Sequence, residues 1–244
     1  MCCCLLSALL YLIHLLKTLV SSRALIGIVL AALLLLLSQL TLSSMGQYIF
    51  PNYFGSKEGV SISGFCANIL VIVLAFIVPT LAAKVGKKEL SAFGGILGAV
   101  VFFIAFVLHT DNLYLFIALY TIGYLGIGFF NVNCWAMITD VIDDAEVREG
   151  ERSDGTFYSV YSFARKMGQA ASSGLSGALL GIVGYTDATA FDPDVLNGIY
   201  DISCLVPAAG FLLMALALIF VYPLGKKKVD QNIATLKARR EGKK

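Results

Sequence analysis

The chain has 244 residues, of which 58% are apolar and 14% charged, with a formal net charge of +2 and a mean hydropathy of +0.83. Soluble domains carry roughly 45–50% apolar and about 25% charged residues, so this composition excludes water as the main solvent. The small net charge, with Lys and Arg in short clusters between apolar runs, excludes a nucleic-acid interface.

Six apolar runs reach the length of about 20 residues that a bilayer core demands of a helix: about 24–46, 60–82, 90–109, 112–137, 156–184 and 203–223. They predict an all-α, polytopic membrane protein whose six-helix domain covers 23–225. Residues 1–16 are apolar but short, and Lys17 and Arg23 follow them, so 1–22 reads as an interfacial segment or as the remnant of an upstream span; the abrupt Met-Cys-Cys-Cys start fits a truncated reading frame. The runs end at breakers: Pro51-Asn52, Gly86 before Lys87 and Lys88, His109-Thr110-Asp111, a charged stretch from Asp140 to Asp154, Gly184, and Pro223 with Gly225. Residues 226–244 form a basic tail suited to anionic headgroups.

Basic residues retain their loops in the cytoplasm. Lys17 and Arg23, then Lys84, Lys87 and Lys88, then Arg148 and Arg152, then Lys226–Lys228 fall on alternate connections, whereas 185–202 carries Asp187, Asp192, Asp194 and Asp201 without a cation. Both ends of the six-helix body are therefore expected in the cytoplasm of a plasma-membrane protein, a bacterial inner membrane being the natural setting. Six cysteines lack zinc-like spacing: Cys66, Cys134 and Cys204 lie within apolar runs and read as buried small hydrophobes, and Cys2–Cys4 as an acylation candidate.

Polar residues within the spans carry the functional expectation. In the fifth run Ser159, Ser162, Lys166, Gln169, Ser173 and Ser176 recur every three or four residues and share one helical stripe. Such a stripe lines a bundle interior or a wet cavity; the competing reading is that Lys166 and Arg165 snorkel to headgroups. Tyr120, Tyr124, Gly128, Asn131 and Trp135 make a similar stripe in the fourth run. Aromatic rings beside an amide suit a sugar, whose C–H face stacks while its hydroxyls are read by polar groups; plain packing is the alternative. Gln39, Ser43 and Gln47 mark a weaker stripe on the first run. Gly177 and Gly181, in GxxxG spacing, are expected to pack against another helix.

Between the fourth and fifth runs, Asp140, Asp143, Asp144, Glu146, Arg148, Glu149, Glu151, Arg152 and Asp154 are expected in a loop of breakable ion pairs, a gate rather than a metal site, because the spacing lacks the glycine and terminal Glu of a calcium loop. The run from Asp140 through Gly155 to Ser159, continuing through Lys166 to Gly181, Gly184 and Tyr185, resembles the glycoside–pentoside–hexuronide:cation symporters, the family of the melibiose carrier within the major facilitator superfamily. Looser similarity covers Tyr48–Gly55 and Gly86–Lys88, so that residues 15–240 correspond to the carboxyl-terminal half of such a carrier.

The resemblance implies symport of a sugar or glycoside with Na⁺ or H⁺ by alternating access between two six-helix halves. It places Asp140, Asp143 and Arg152, with Glu146 beside them, in a cytoplasmic ion-pair network, and Lys166 near the sugar and cation sites, with Gln169, Ser162, Asn131, Trp135, Tyr120 and Tyr124 as further cavity residues. Asp144 departs from the family, which commonly has an aromatic residue there. The coupling carboxylates of the family lie on its amino-terminal half, so an amino-terminal six-helix half or a second copy is the expected partner. A non-transporting fragment or a regulatory partner of a full carrier is the alternative. No cofactor is implied. His14 and His109 are far apart and no nucleophile motif occurs, which argues against an enzyme.

Overall fold

The computed structural model describes residues 22–241, so residues 1–21, including Cys2–Cys4, and 242–244 lie outside the described residues. Among the described residues seven helices follow one another, most of them joined by short turns. α1 (Arg23–Tyr48) starts at Ser22, whose Oγ accepts a hydrogen bond from the Leu25 N–H (3.3 Å). It continues through a π-turn, Ile49–Tyr53. Pro51 therefore does not end the helix as expected, because the wider turn accommodates a residue that has no N–H to donate.

α2 (Glu58–Val85) and α3 (Lys87–Leu108) meet at Gly86, which adopts φ 118. The Asn112 side chain caps α4 (Leu113–Glu149), accepting from the N–H groups of Tyr114 and Leu115 at 3.0 and 3.2 Å. α5 spans Asp154–Ile182, α6 spans Pro193–Leu216 and ends in a second π-turn, Ala217–Val221, and α7 covers Lys226–Glu241.

Among the described residues, five helical segments are long and apolar enough to cross a membrane: Arg23–Tyr53, Glu58–Val85, Lys87–Leu108, Leu113–Glu149 and Pro193–Val221. α5, at 29 residues, has the length, about 44 Å at 1.5 Å per residue, but is more polar, and it lies along α1. The chain is thus an all-helical, polytopic membrane protein.

Two boundaries differ from expectation. The charged stretch Asp140–Glu149 is helical and extends α4, which stops only where Gly150 takes the left-handed conformation (φ 83). The carboxylates of Asp140 and Asp144 find partners on neighbouring elements, so the helix needs no loop to solvate them. α6 starts at Pro193 rather than near 203, since Asp192 at the cap, Pro193 in the first turn and Asp194 just after form a favourable helix start that apolarity does not reveal.

α4 is the central post, packed on α2 and most extensively on α3, and α6 joins α3 to α1. Small residues set the α3–α4 crossing: a Cβ on Gly98 would lie 2.9 Å from the carbonyl oxygen of Gly123, and one on Gly126 would lie 2.9 Å from that of Gly94. Gly177 and Gly181, expected to serve this role, face open space within the described residues; α5 instead meets α1 where Gly168 sits against Leu33 and Leu36.

Candidate functional site: a polar wall and an ion-pair cluster

The expected cavity residues separate into three groups. Tyr120 and Tyr124 line a cleft of about 220 Å³ between α1, α2 and α4, with Ser43, Gln47, Ser63 and Asn68 supplying polar atoms. Ser43 Oγ and the Tyr124 hydroxyl share a hydrogen bond of 3.4 Å, and the two tyrosine rings lie 5.3 Å apart. Tyr120 is buried, its ring edge-on to Phe50 and Phe102, so it is chiefly a packing residue that reaches the cleft with one side.

Further along α4, Asn131 Nδ2 donates to Gln39 Oε1 of α1 (3.3 Å), joining two stripes expected separately. Trp135, one turn beyond, lies in a different group. Its ring is edge-on to Tyr161 (centroids 5.6 Å) and near Tyr158 (6.2 Å), both on α5. The Arg165 guanidinium lies 6.0 Å from the centre of the Trp135 ring and 5.7 Å from that of Tyr161, and it donates to the Tyr161 hydroxyl (3.3 Å).

The third group is the exposed stripe of α5. Lys166 Nζ donates to Gln169 Oε1 (3.0 Å), and Ser162 and Ser173 remain exposed beside it. Ser172 and Ser176 turn inward and, with Ser44 and Tyr48 of α1, line an open cleft of about 410 Å³. Helical spacing placed these residues on one stripe but could not show that one edge meets α1 while the other meets nothing.

At the end of the bundle that carries Lys87 and Arg152, the expected network divides. Arg152 holds three carboxylates: Asp143 (2.7 Å), Glu146 (2.8 Å) and Asp154 (2.8 Å). Hydrogen bonds to Asp154, then Asp143 and Glu146, hold its guanidinium even further above neutrality than usual. Asp140 does not join them. It is buried and pairs instead with Lys87 at the start of α3, its two oxygens 2.6 and 2.8 Å from Nζ. One α-helical turn separates Asp140 from Asp144, so these two share a face, whereas Asp143 and Glu146 turn toward Arg152.

α7 closes this end rather than lying free. Asn232 is buried and donates to Asp144 Oδ1 (3.0 Å), while the other oxygen of Asp144, Oδ2, pairs with Arg148 (3.2 Å). Arg239 donates to the carbonyls of Glu146 and Val147 (3.3 and 3.0 Å), satisfying the last turn of α4. Arg240 reaches the same Glu146 Oε2 that Arg152 uses. Asp144 therefore has an assignment: it holds the tail. Sequence inspection read Lys87 as a topology-setting cation and missed it as the partner of Asp140, and it missed Asn232 and Tyr158. A lone acid at the edge of an apolar run, four residues before another, was the available signal.

A sequence profile described as MFS/sugar transport protein matches residues 9–226. The chain belongs to that family. A glucuronide carrier protein homolog of Escherichia coli (strain K12) is 29% identical over 232 residues, 93% of this chain and 50% of that protein. An uncharacterized symporter of Bacillus subtilis (strain 168) is 30% identical over 224 residues, 90% of this chain and 48% of that protein. An isoprimeverose transporter of Lactiplantibacillus pentosus is 31% identical over 156 residues, 62% of this chain and 32% of that protein. The chain spans about half the length of the first two of these relatives. The family is one of membrane transporters.

Proposed function

We propose that the chain acts as the carboxyl-terminal half of an alternating-access carrier that moves a sugar or glycoside together with Na⁺ or H⁺ across the plasma membrane. The observation that carries this reading is the open polar wall: Ser162, Lys166 and Ser173 on α5 stand exposed, with Gln169 half-buried against Lys166, and the exposed Trp135 and the Gln39–Asn131 pair add further groups on α4 and α1. Lipid is a poor neighbour for such a face. A second six-helix unit, either an amino-terminal half or a second copy, encloses it and makes it one wall of a central cavity. The relatives' names, glucuronide carrier, symporter and isoprimeverose transporter, support both the substrate class and the coupling.

In this reading the Arg152 end faces the cytoplasm, as the distribution of Lys and Arg favours. Arg152 with Asp143 and Glu146 forms a gate on that side. Each pair is partly exposed, so each contributes little to stability and breaks at low cost, as a gate that cycles requires. The Lys87–Asp140 pair is better shielded and serves as a fixed hinge point between α3 and α4.

The test is uptake of labelled glycosides into right-side-out vesicles, with and without a Na⁺ or H⁺ gradient, by the full chain alone and together with the amino-terminal half of a relative. Gradient-driven uptake that depends on the added half supports the reading. Uptake by the chain alone points to the second copy. A correctly inserted chain that transports in neither setting overturns it in favour of a non-transporting membrane fragment or a regulatory partner.

A further inference from the structure

We propose that the bundle binds an anionic phospholipid at the α3–α6 seam, with Arg23 and Lys88 holding its phosphate and an apolar slot between the two helices taking an acyl chain. The proposal needs only the membrane setting and stands apart from the carrier reading above.

The first ground is charge. Two cations converge on the π-turn that ends α6. Arg23, at the start of α1, donates to the Phe220 carbonyl (2.9 Å), and Lys88, at the start of α3, donates to those of Ile219 (3.3 Å) and Tyr222 (2.7 Å). The last carbonyls of a helix carry only partial charges, so two full cations there remain largely uncompensated. Among the described residues neither forms an ion pair, and residues 1–22 contain no Asp or Glu. Glu89, the neighbour of Lys88, is engaged by α7: its Oε1 accepts from the Lys226 N–H (3.3 Å), and Lys227 and Lys228 stand exposed just beyond. The corner therefore stays positive. Lys88 keeps a spare N–H and Arg23 most of its fork, donors that a phosphate accepts through charge-assisted bonds. The basic connections that set the expected orientation put this corner in the cytoplasmic leaflet, whose anionic lipids collect in basic pockets between helices.

The second ground is the slot. Small side chains at Ala99, Ala208 and Ala209 leave a seam of about 330 Å³ between Ile96, Val100 and Phe103 of α3 and Leu205 and Leu212 of α6. On α6 the exposed stripe of Leu205, Leu212, Leu216 and Ile219 runs from this seam to the π-turn that Lys88 grips. Lys88 and Ala99, about three helical turns apart, share one face of α3. Along that helix Ile96 and Phe103 lie about 12 and 22 Å from Lys88, at 1.5 Å per residue. One leaflet, half of a bilayer of about 40–45 Å, has the same depth, so a lipid whose phosphate sits at Lys88 carries the end of its chain into the slot. A second copy of the chain fits worse. Helices approach closely where small residues face outward, whereas here the alanines lie between bulky exposed walls.

The test is native mass spectrometry of the full chain, released from detergent micelles at rising levels of dioleoyl phosphatidylglycerol or dioleoyl phosphatidylethanolamine, which share their chains and differ in net charge. The expected result is a tightly retained phosphatidylglycerol, with a half-saturation at least about tenfold below that of phosphatidylethanolamine, the scale of two cations at a membrane surface. Arg23→Gln with Lys88→Gln removes that preference, and Arg23→Gln alone, at an exposed side chain, removes part of it. Ala209→Phe keeps both cations and fills the slot, so it weakens retention of phosphatidylglycerol several-fold. Equal binding of the two lipids, retention of neither, or a preference that survives the double substitution overturns the phosphate site. Retention unchanged in Ala209→Phe overturns the slot and the proposal with it. Glycerol phosphate that binds as tightly as the lipid makes the corner a site for free phosphate, and a dimer that forms without lipid and is lost in Ala209→Phe makes a second copy the occupant; either result overturns the proposal.

Discussion

Two faces of the bundle reach the outside with opposite chemistry. On α2 and α3 the exposed positions are Phe65, Ile72, Val73 and Phe76, then Phe93, Phe103 and Val107, the side chains that hydrocarbon solvates without cost. On α5 the exposed positions include Ser162, Lys166, Ser173, Gly174 and Gly177, side chains that hydrocarbon solvates badly or that leave backbone bare. In a membrane protein exposure alone does not define the lipid boundary. The apolar face is finished as it stands, and the polar one calls for cover by protein or by water.

The sharpest way to test that contrast is a pair of identical substitutions. Gly98→Leu forces a side chain into the α3–α4 crossing, where a first carbon already meets backbone at 2.9 Å, and is expected to eliminate almost all monodisperse protein by size exclusion. Gly177→Leu adds the same side chain where nothing lies within 4 Å; the chain alone should elute unchanged, while gradient-driven uptake with an added half is lost. Aggregation of both variants would break the comparison.

A smaller effect is expected at the Lys87–Asp140 pair. Asp140→Asn leaves a half-buried cation without its counter-charge and should cost about 3 kcal/mol. The loss is read as earlier release of the buried Cys134 and Cys204 thiols to a thiol-reactive dye on heating. Lys87→Met with Asp140→Leu should recover much of it.

The smallest change in stability belongs to Arg152→Ala, under about 1 kcal/mol because its pairs are partly exposed. Its signature is access: a cysteine placed at Thr139, which lines the cleft beside Arg152, should be alkylated faster once the cluster is gone. An unchanged rate would mean that the cluster is a solvated surface and not a gate.

Much of this arrangement was legible in the residues, for reasons that can be named. Apolar run length located the spans because the bilayer imposes it, and the stripe of Ser162, Lys166 and Gln169 was readable because helical periodicity is local. The cluster of Arg152, Asp143 and Glu146 was readable because its members are near in sequence. What escaped depends on contacts between distant segments. Asp140 lies 53 positions from Lys87, and no local pattern announces that pair. Asp144 looked like an unexplained departure until Asn232, 88 positions away, was found against it. Gly177 and Gly181 misled for the complementary reason: spacing shows that a helix can be approached closely, and only the fold shows that, within this chain, the approach happens at Gly94, Gly98, Gly123 and Gly126 instead.

The single oxygen of Glu146 shared by Arg152 and Arg240 has a consequence for ionic strength. Arg240 is well exposed and Arg152 and Glu146 partly so, whereas Asp140 is buried, and mobile ions screen exposed pairs over about 8 Å at physiological salt. Loop and tail therefore loosen together as salt rises, while Lys87 and Asp140, shielded between α3 and α4, hold. The end of the bundle is built in two layers, an outer one tuned by the surrounding electrolyte and an inner one less sensitive to it.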